Sequence, residues 1–328
     1  MDYILLVPIV TSFIICLIFL PLWIRKCREL GLVWEDMNKL NHPKNVASSG
    51  GLIVVMSFTI GILFYIAFRT FFRTGIEVSL QLFAIISVIL IFAITGLVDD
   101  LLGWNNGGMS KRLRILLAFL ATIPLVVINS GESSVVMPFF GVVNFGILFP
   151  LILVPIGIAG AAITYNFLAG FNGLESSQGI IILSFLSYLA FITGSAWLAF
   201  TGLIMVASLI PFYFYNKFPA SVFPGDILTY SVGGMIAIMA ILGNFERIAL
   251  FVFIPYIIET GLKVRGGLKK QSFGIPNKDG SLKLPYSRIY GMTHLSIFIL
   301  SKFKKNVYEK DVVYFINFIQ IIFCILAW

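Results

Sequence analysis

Long apolar runs alternate with short polar intervals along the whole chain. Many runs could cross a hydrocarbon core of about 30 Å as helices rising about 1.5 Å per residue. They predict about ten spanning helices, over residues 3–24, 50–68, 79–98, 113–130, 143–164, 178–193, 195–215, 227–243, 247–263 and 307–327. The expected architecture is an all-α polytopic membrane protein, one integral domain over 1–328 with a long basic loop at 263–306. Composition supports this, since 59% of the 328 residues are hydrophobic and 12% charged, against roughly 45–50% and 25% in soluble domains. The first run follows Met1-Asp2 with no basic segment before it, so it is expected to be a retained helix and not a cleaved leader. Cys16, Cys27 and Cys324 are too scattered to suggest a disulfide framework or a zinc site.

Charge sets the expected orientation. Of the 23 lysines and arginines, all but Arg69, Arg73 and Arg247 follow odd-numbered helices. Cationic residues are retained on the cytoplasmic face, so both termini are expected outside and the odd-numbered loops inside. The net charge of +8 is explained by this asymmetry and by attraction to anionic lipid, with no need for a nucleic-acid partner.

The few acidic residues fall on the same inner side. Glu35 and Asp36 lie in the first inner loop, Asp99 and Asp100 at the predicted end of helix three, Glu175 at the start of helix six and Asp226 at the start of helix eight. A transporter would place ionisable groups near mid-membrane, whereas an enzyme joining a soluble substrate to a lipid would place them at one interface. Two adjacent carboxylates at a helix C-terminus oppose its dipole, so a divalent metal or a nearby lysine should compensate them; a solvated helix end is the plainer alternative. Asp226, in FPGD, reads as a site acid or as an ordinary N-cap. Asn166 and Asn172, in TYNFLAGFNGLESSQG (164–179), read as oxygen ligands or base readers, or as parts of an Asn/Gly turn. Hard oxygen groups with lysines at one face point to phosphate chemistry with magnesium.

These pieces resemble the polyprenyl-phosphate N-acetylhexosamine-1-phosphate transferases. The order EDMNK…SSGG (35–51), DDLLG (99–103) with Lys111, NFLAGFNGLE (166–175), FPGD (223–226) and a long basic loop carries the resemblance over nearly the full chain. Ala169-Gly170 and Asn172 stand where bacterial members carry aspartates, and SFGIPNKDGSLKLPYS (272–287) is similar to the last loop of the eukaryotic and archaeal dolichyl branch. The resemblance implies UDP-GlcNAc or another UDP-N-acetylhexosamine as donor, polyprenyl or dolichyl phosphate as acceptor, and UMP as leaving group. It implies magnesium, or manganese, on Asn166 and Asp226, and catalytic roles for Asp99, Asp100 and Lys111. UDP-sugar contacts would come from Glu35, Asp36, Met37, Ala47, Asn172, Ser272, Phe273 and Gly274. The lipid phosphate would lie along Ala159, Gly160, Ala161, Ala162, Ile163, Thr164, Tyr165, Asn166 and Phe167, with Lys111 on a phosphate oxygen.

Two positions depart from the family pattern. Ala47 replaces a glutamate, and Ser272-Phe273-Gly274 replaces a basic or histidine-rich triplet; Arg265, Lys269, Lys270 or His294 are candidates to supply the missing charge. Direct attack by the lipid phosphate and a phospho-aspartate intermediate both stay open, as does oligomeric state, a homodimer included. A lipid flippase or transporter is the alternative of another class. The branch points to an archaeal plasma membrane ahead of an endoplasmic reticulum, with the active site cytoplasmic. Residues 288–303 are expected to form an amphipathic helix on the inner surface.

Overall fold

The computed structural model describes residues 6–72, 78–137 and 141–328. Arg73, placed outside by the charge pattern, lies beyond the described residues, as do Met1 and Asp2. Helices dominate: α1 (Val7–Glu29), α2 (Gly51–Phe71), α3 (Ser79–Asn106), α4 (Lys111–Ala121), α5 (Ile123–Val127), α6 (Val154–Phe167), α7 (Leu174–Ile192), α8 (Ala196–Asn216), α9 (Gly225–Leu242), α10 (Glu246–Val252), α11 (Ile254–Arg265), α12 (Met292–Leu300) and α13 (Glu309–Leu326). Among the described residues, seven segments are long and apolar enough to span a bilayer: α1, α2, most of α3, α6 with the π-helical turn Phe149–Leu153 before it, α7, α8 and α9.

The other expected spans differ for identifiable reasons. Residues 113–130 form α4 and α5, divided at Thr122 just before Pro124, and residues 247–263 form α10 and α11, divided at Phe253 before Pro255. Proline lacks an amide hydrogen and clashes with the preceding turn, so it starts a helix better than it continues one. The last segment, α13, opens on Glu309, Lys310 and Asp311. The helix expected from residue 143 begins later, because Gly141–Asn144 is a strand. The amphipathic surface helix expected over 288–303 is the shorter α12, which buries Met292, His294 and Ile297 and packs on α11 and α13.

The core is built around α9, whose hydrophobic window is 78% buried while that of α1 is only 28% buried. Helices α3 and α6 flank α9 most extensively. Outward residues such as Leu17, Ile18, Phe19 and Leu22 of α1 are exposed, as lipid-facing positions must be when the solvent is hydrocarbon. Close approach of α3 to α9 requires Gly96, since a Cβ there would strike the backbone of Asp226 and Ile227. Small residues at such crossings let helix backbones meet.

Among the described residues, three antiparallel ribbons join the helices. They are β1 (Val33–Glu35) with β2 (Lys44–Ala47), β3 (Ser134–Met137) with β4 (Gly141–Asn144), and β5 (Ile275–Pro276) with β6 (Leu282–Lys283). The first ribbon is tied to the segment before α9. Ala47 N donates to Ser221 O (3.1 Å), Phe223 N to Ala47 O (2.8 Å), Gly50 N to Phe223 O (2.9 Å) and Gly51 N to Pro224 O (3.0 Å). This zipper sets the starts of α2 and α9 side by side.

Gly96→Ala should lower stability by about 1–3 kcal/mol through overpacking, read as a lower melting temperature in detergent. Gly160→Ala, where an added Cβ meets nothing within 4 Å, should melt like the parent.

Candidate active site

Two adjoining cavities open at the polar end where α3, α6 and α9 meet, of about 270 and 380 Å³. Trp34, Phe223, Gly225 and Asp226 line both. Glu35, Asp36, Met37, Asn166, Gly170 and Phe273 border the first, and Asp99, Asp100 and Arg114 the second. Residues from five separate stretches of sequence therefore converge around Asp226.

Helix α3 does not end at the paired aspartates but runs on to Asn106 and closes on Gly107, whose φ is +79°. Successive residues of a helix point about 100° apart, so the pair serves two neighbours. Asp99 takes Arg114 on both oxygens, at 2.6 and 2.9 Å, and accepts the Met109 amide at 2.8 Å. Asp100 accepts the Asp226 amide at 2.9 Å and the Ser49 hydroxyl at 2.8 Å, so it satisfies a free N–H of α9's first turn. A guanidinium and a helix N-terminus thus compensate part of the pair's charge. Asp226 is the second residue of α9, with Pro224 at the N-cap. Its Oδ1 accepts from Asn166 Nδ2 at 3.2 Å.

Lys111 is not brought to this cluster. Its ammonium is exposed and donates to Leu268 O at 3.3 Å, while Arg114, one turn further along α4, occupies the place beside the carboxylates. The sequence marks Arg114 only as an inner-side charge in the same basic run as Lys111, and no local signal separates the two.

The loop after α6 forms the other wall. Gly170 has φ +116°, and a Cβ there would meet the Phe273 ring. Its amide donates to Glu175 Oε1 at 2.8 Å. Asn172 is buried; its side-chain amide donates to Asp36 Oδ2 at 3.1 Å and its backbone amide to Glu309 Oε1 at 2.7 Å. Lys39 pairs with Asp36 at 2.5 Å. Ala47 is fully buried and takes part in the backbone zipper.

Within the uncharged triplet, Phe273 faces the cavity and Gly274 N donates to Asn38 Oδ1 at 3.1 Å. Ser272 contacts the buried Lys263 ammonium, which lies 3.7 Å from Glu259. Of the substitutes named from sequence, Lys270 lies over Tyr286 and Tyr290, Arg265 lies over Tyr290, and Lys269 is exposed. His294 is buried; burial first, then the nearby Lys263 ammonium, lowers its pKa to about 4, so it is neutral at pH 7.

Along 159–167, Ala159, Ala162 and Tyr165 are buried, Gly160 is exposed, and Ile163, Thr164, Asn166 and Phe167 are half-buried. Ala161 lines an apolar groove of about 300 Å³ bordered by Phe149, Gly157, Ile236, Ala240 and Phe253. Ser49, Asn38, Glu309, Arg114 and Trp34 are site-region residues that sequence reasoning did not single out.

The donor set suits a hard divalent cation. Three carboxylates, Asp99, Asp100 and Asp226, border one cavity with a single guanidinium among them. A half-turn of the Asn166 amide would direct its carbonyl oxygen toward the Asp226 side. Among the described residues no three His, Cys, Asp or Glu side chains form a metal cage. Magnesium is commonly held by one or two carboxylates, with substrate phosphates and water completing its shell.

Residues 82–244 match the model of glycosyl transferase family 4. A protein of Sulfolobus acidocaldarius named "Putative UDP-N-acetylglucosamine--dolichyl-phosphate N-acetylglucosaminephosphotransferase" is 32% identical, covering 98% of this chain and 94% of that protein. One of the same name from Saccharolobus solfataricus is 31% identical over 98% of this chain and 95% of its own length. The UDP-N-acetylglucosamine–dolichyl-phosphate N-acetylglucosaminephosphotransferase of Dictyostelium discoideum is 28% identical over 70% of this chain and 64% of its own. The chain belongs to glycosyl transferase family 4, the family its motif order resembles.

Asp99 is 3% exposed, so Arg114→Ala leaves a buried carboxylate without its partner and should cost about 2–3 kcal/mol. Lys111→Ala should stay within about 0.5 kcal/mol of the parent. Denaturant or thermal melts in detergent measure both.

Proposed function

We propose that the chain transfers N-acetylglucosamine 1-phosphate from UDP-GlcNAc to a polyprenyl phosphate of the dolichyl type, releasing UMP. The observation that carries this reading is the convergence of Asp100, Asp226, Asn166, Asp36 and Arg114 on adjoining cavities at one end of the helix bundle. The relatives' names, over nearly the full chain, support the same donor and acceptor. In this reading ten segments cross the bilayer, α4–α5 and α10–α11 each as a broken span and α13 as the last. Both termini lie outside and the cavities face the cytoplasm, in keeping with the cation distribution. The archaeal relatives favour an archaeal plasma membrane.

The donor enters from the aqueous side, with its nucleotide toward Asp36, Asn172 and Phe273 and its diphosphate toward Asp226. The prenyl chain lies along the apolar groove beside Ala161. An oxygen of the lipid phosphate attacks the phosphorus bearing the sugar; a new P–O bond forms and the bond to the bridging oxygen breaks. The electron pair leaves on UMP. A phosphate monoester has its second pKa near 6, so the nucleophile needs no strong base at pH 7. Arg114 offsets the charge of two approaching anions, and Asp100 holds Asp226 in place through its amide. A divalent cation bound between Asn166 and Asp226, magnesium or manganese, would supply neutralisation of the diphosphate.

Membranes containing the protein, magnesium, polyprenyl phosphate and UDP-GlcNAc should release UMP. Asp226→Ala or Asn166→Ala should lower the rate about 10²–10³-fold with the folded protein still present. UDP as product would indicate a glycosyltransferase of another kind, and no nucleotide release would favour transport. Faster turnover with a different UDP-N-acetylhexosamine would move the reading to another surface or wall polysaccharide.

A further inference from the structure

Glu309 opens the last helix, is 2% exposed, and lines neither cavity. Yet two cavity-forming loops meet on it, and a third reaches it through Asn38. Its Oε1 accepts the Asn172 backbone amide at 2.7 Å and the Asn38 side-chain amide at 3.4 Å. Asn38 also donates to Gly170 O at 2.8 Å and accepts the Gly274 amide at 3.1 Å. The chain separations closed on Glu309 are 137 and 271 residues. The three loops contribute Asp36, Gly170 and Phe273 to the first cavity.

The carboxylate is delivered from a fixed base. Two turns along α13, Asn317 Oδ1 accepts from Ser177 Oγ at 3.0 Å and from Gln178 Nε2 at 2.9 Å, which ties α13 to α7. Burying a carboxylate is costly unless it is hydrogen-bonded, and Glu309 Oε2 is buried without a partner among the described residues. Packing alone would be served better by an apolar side chain. A carboxylate gives a stronger bond to the Asn172 amide than a neutral acceptor, and Asn172 lies in a loop without regular structure between Gly170 and Gly173.

We propose that Glu309 is a positioning residue for donor binding: with Asn38, it fixes the 36–39, 170–172 and 272–274 loops in their donor-ready arrangement before the UDP-sugar arrives. The inference rests on the assignment of the first cavity to the nucleotide. Preorganisation of this kind acts on donor affinity, because loops that must be ordered on binding lower it.

The test uses the full-length protein in detergent or nanodiscs, with Glu309→Ala, Glu309→Gln, Asn38→Ala and the Asn38→Ala/Glu309→Ala double variant. Loss of a hydrogen bond to a charged group corresponds to roughly a 10- to 100-fold change. Glu309→Ala should raise the KM for UDP-GlcNAc by about that factor, while kcat and the KM for polyprenyl phosphate stay within about threefold. Glu309→Gln keeps an acceptor oxygen without the charge and should restore part of the loss. The double variant should be little worse than the more impaired single one, because both residues act through the same loops. Hydrogen exchange should quicken at least about tenfold in peptides covering 36–39 and 170–174, with α7 unchanged. An unchanged donor KM in folded Glu309→Ala, an equal loss toward both substrates, or no rescue by glutamine would overturn the proposal. If the parent itself releases no UMP, the reaction assignment fails, and exchange alone then decides: quickening confined to these loops upholds the positioning role, and unchanged exchange refutes it.

Discussion

The bond from the Asp226 amide to the Asp100 carboxylate is the constraint on which the polar end of the bundle depends. It joins the last turns of α3 to the first turn of α9, and the Ser49 hydroxyl on the same carboxylate adds the start of α2. Three helix ends are therefore fixed by one side chain. The approach is close because Gly96 lets α3 lie directly against the Asp226–Ile227 backbone. A carboxylate at a helix N-terminus is favourable, because it meets unpaired amides and the positive end of the dipole. Asp100 can thus be structural and adjacent to chemistry at once, and Asp226 keeps its own carboxylate for the cavity.

Much of this was legible in the sequence, for reasons that differ by residue. Spanning segments announce themselves through uninterrupted apolar runs, and seven appear as such; the division of the runs at Thr122 and Phe253 was signalled by Pro124 and Pro255. Charge placement was legible because acids are so few: Asp99, Asp100, Asp226, Asp36 and Glu35 all reach the two cavities. The partners of those acids were not. Arg114 and Lys111 share one basic run, and only the packing of α4 against α3 decides which cation turns inward. Glu309 was missed because an acid in a first helical turn is ordinary, and nothing local shows that it meets Asn172 and Asn38 from across the chain.

The same contrast holds for the uncharged triplet. Ser272-Phe273-Gly274 lacks cations, yet the fold brings the Lys263 ammonium to Ser272 and keeps Glu259 beside it. The spacing of Glu259 and Lys263 is i, i+4 on α11, the arrangement that helices favour for opposite charges. His294, one of the four candidates, stays uncharged under the weight of burial and the neighbouring ammonium. The cation at the triplet therefore comes from the last turn of α11, at the very start of the basic stretch 263–306, and only the fold shows that it turns onto Ser272.

Joining a water-soluble donor to a lipid acceptor requires one scaffold to reach both phases, and α6 does so within a short length. Ala161 lies in the apolar groove and Asn166 in the polar cavity. Five residues of helix separate them, about 7.5 Å along the axis. On α9, Asp226 and the groove residue Ile236 are about 15 Å apart by the same measure. Groove and polar cavity therefore share α6 and α9, separated by about 7.5 to 15 Å along the helix axes. A transporter needs a site reachable in turn from both faces. Here the ionisable side chains of the two cavities gather at one end of the bundle, and the groove is apolar apart from Glu246 on its border, an arrangement that suits the interfacial reaction proposed above.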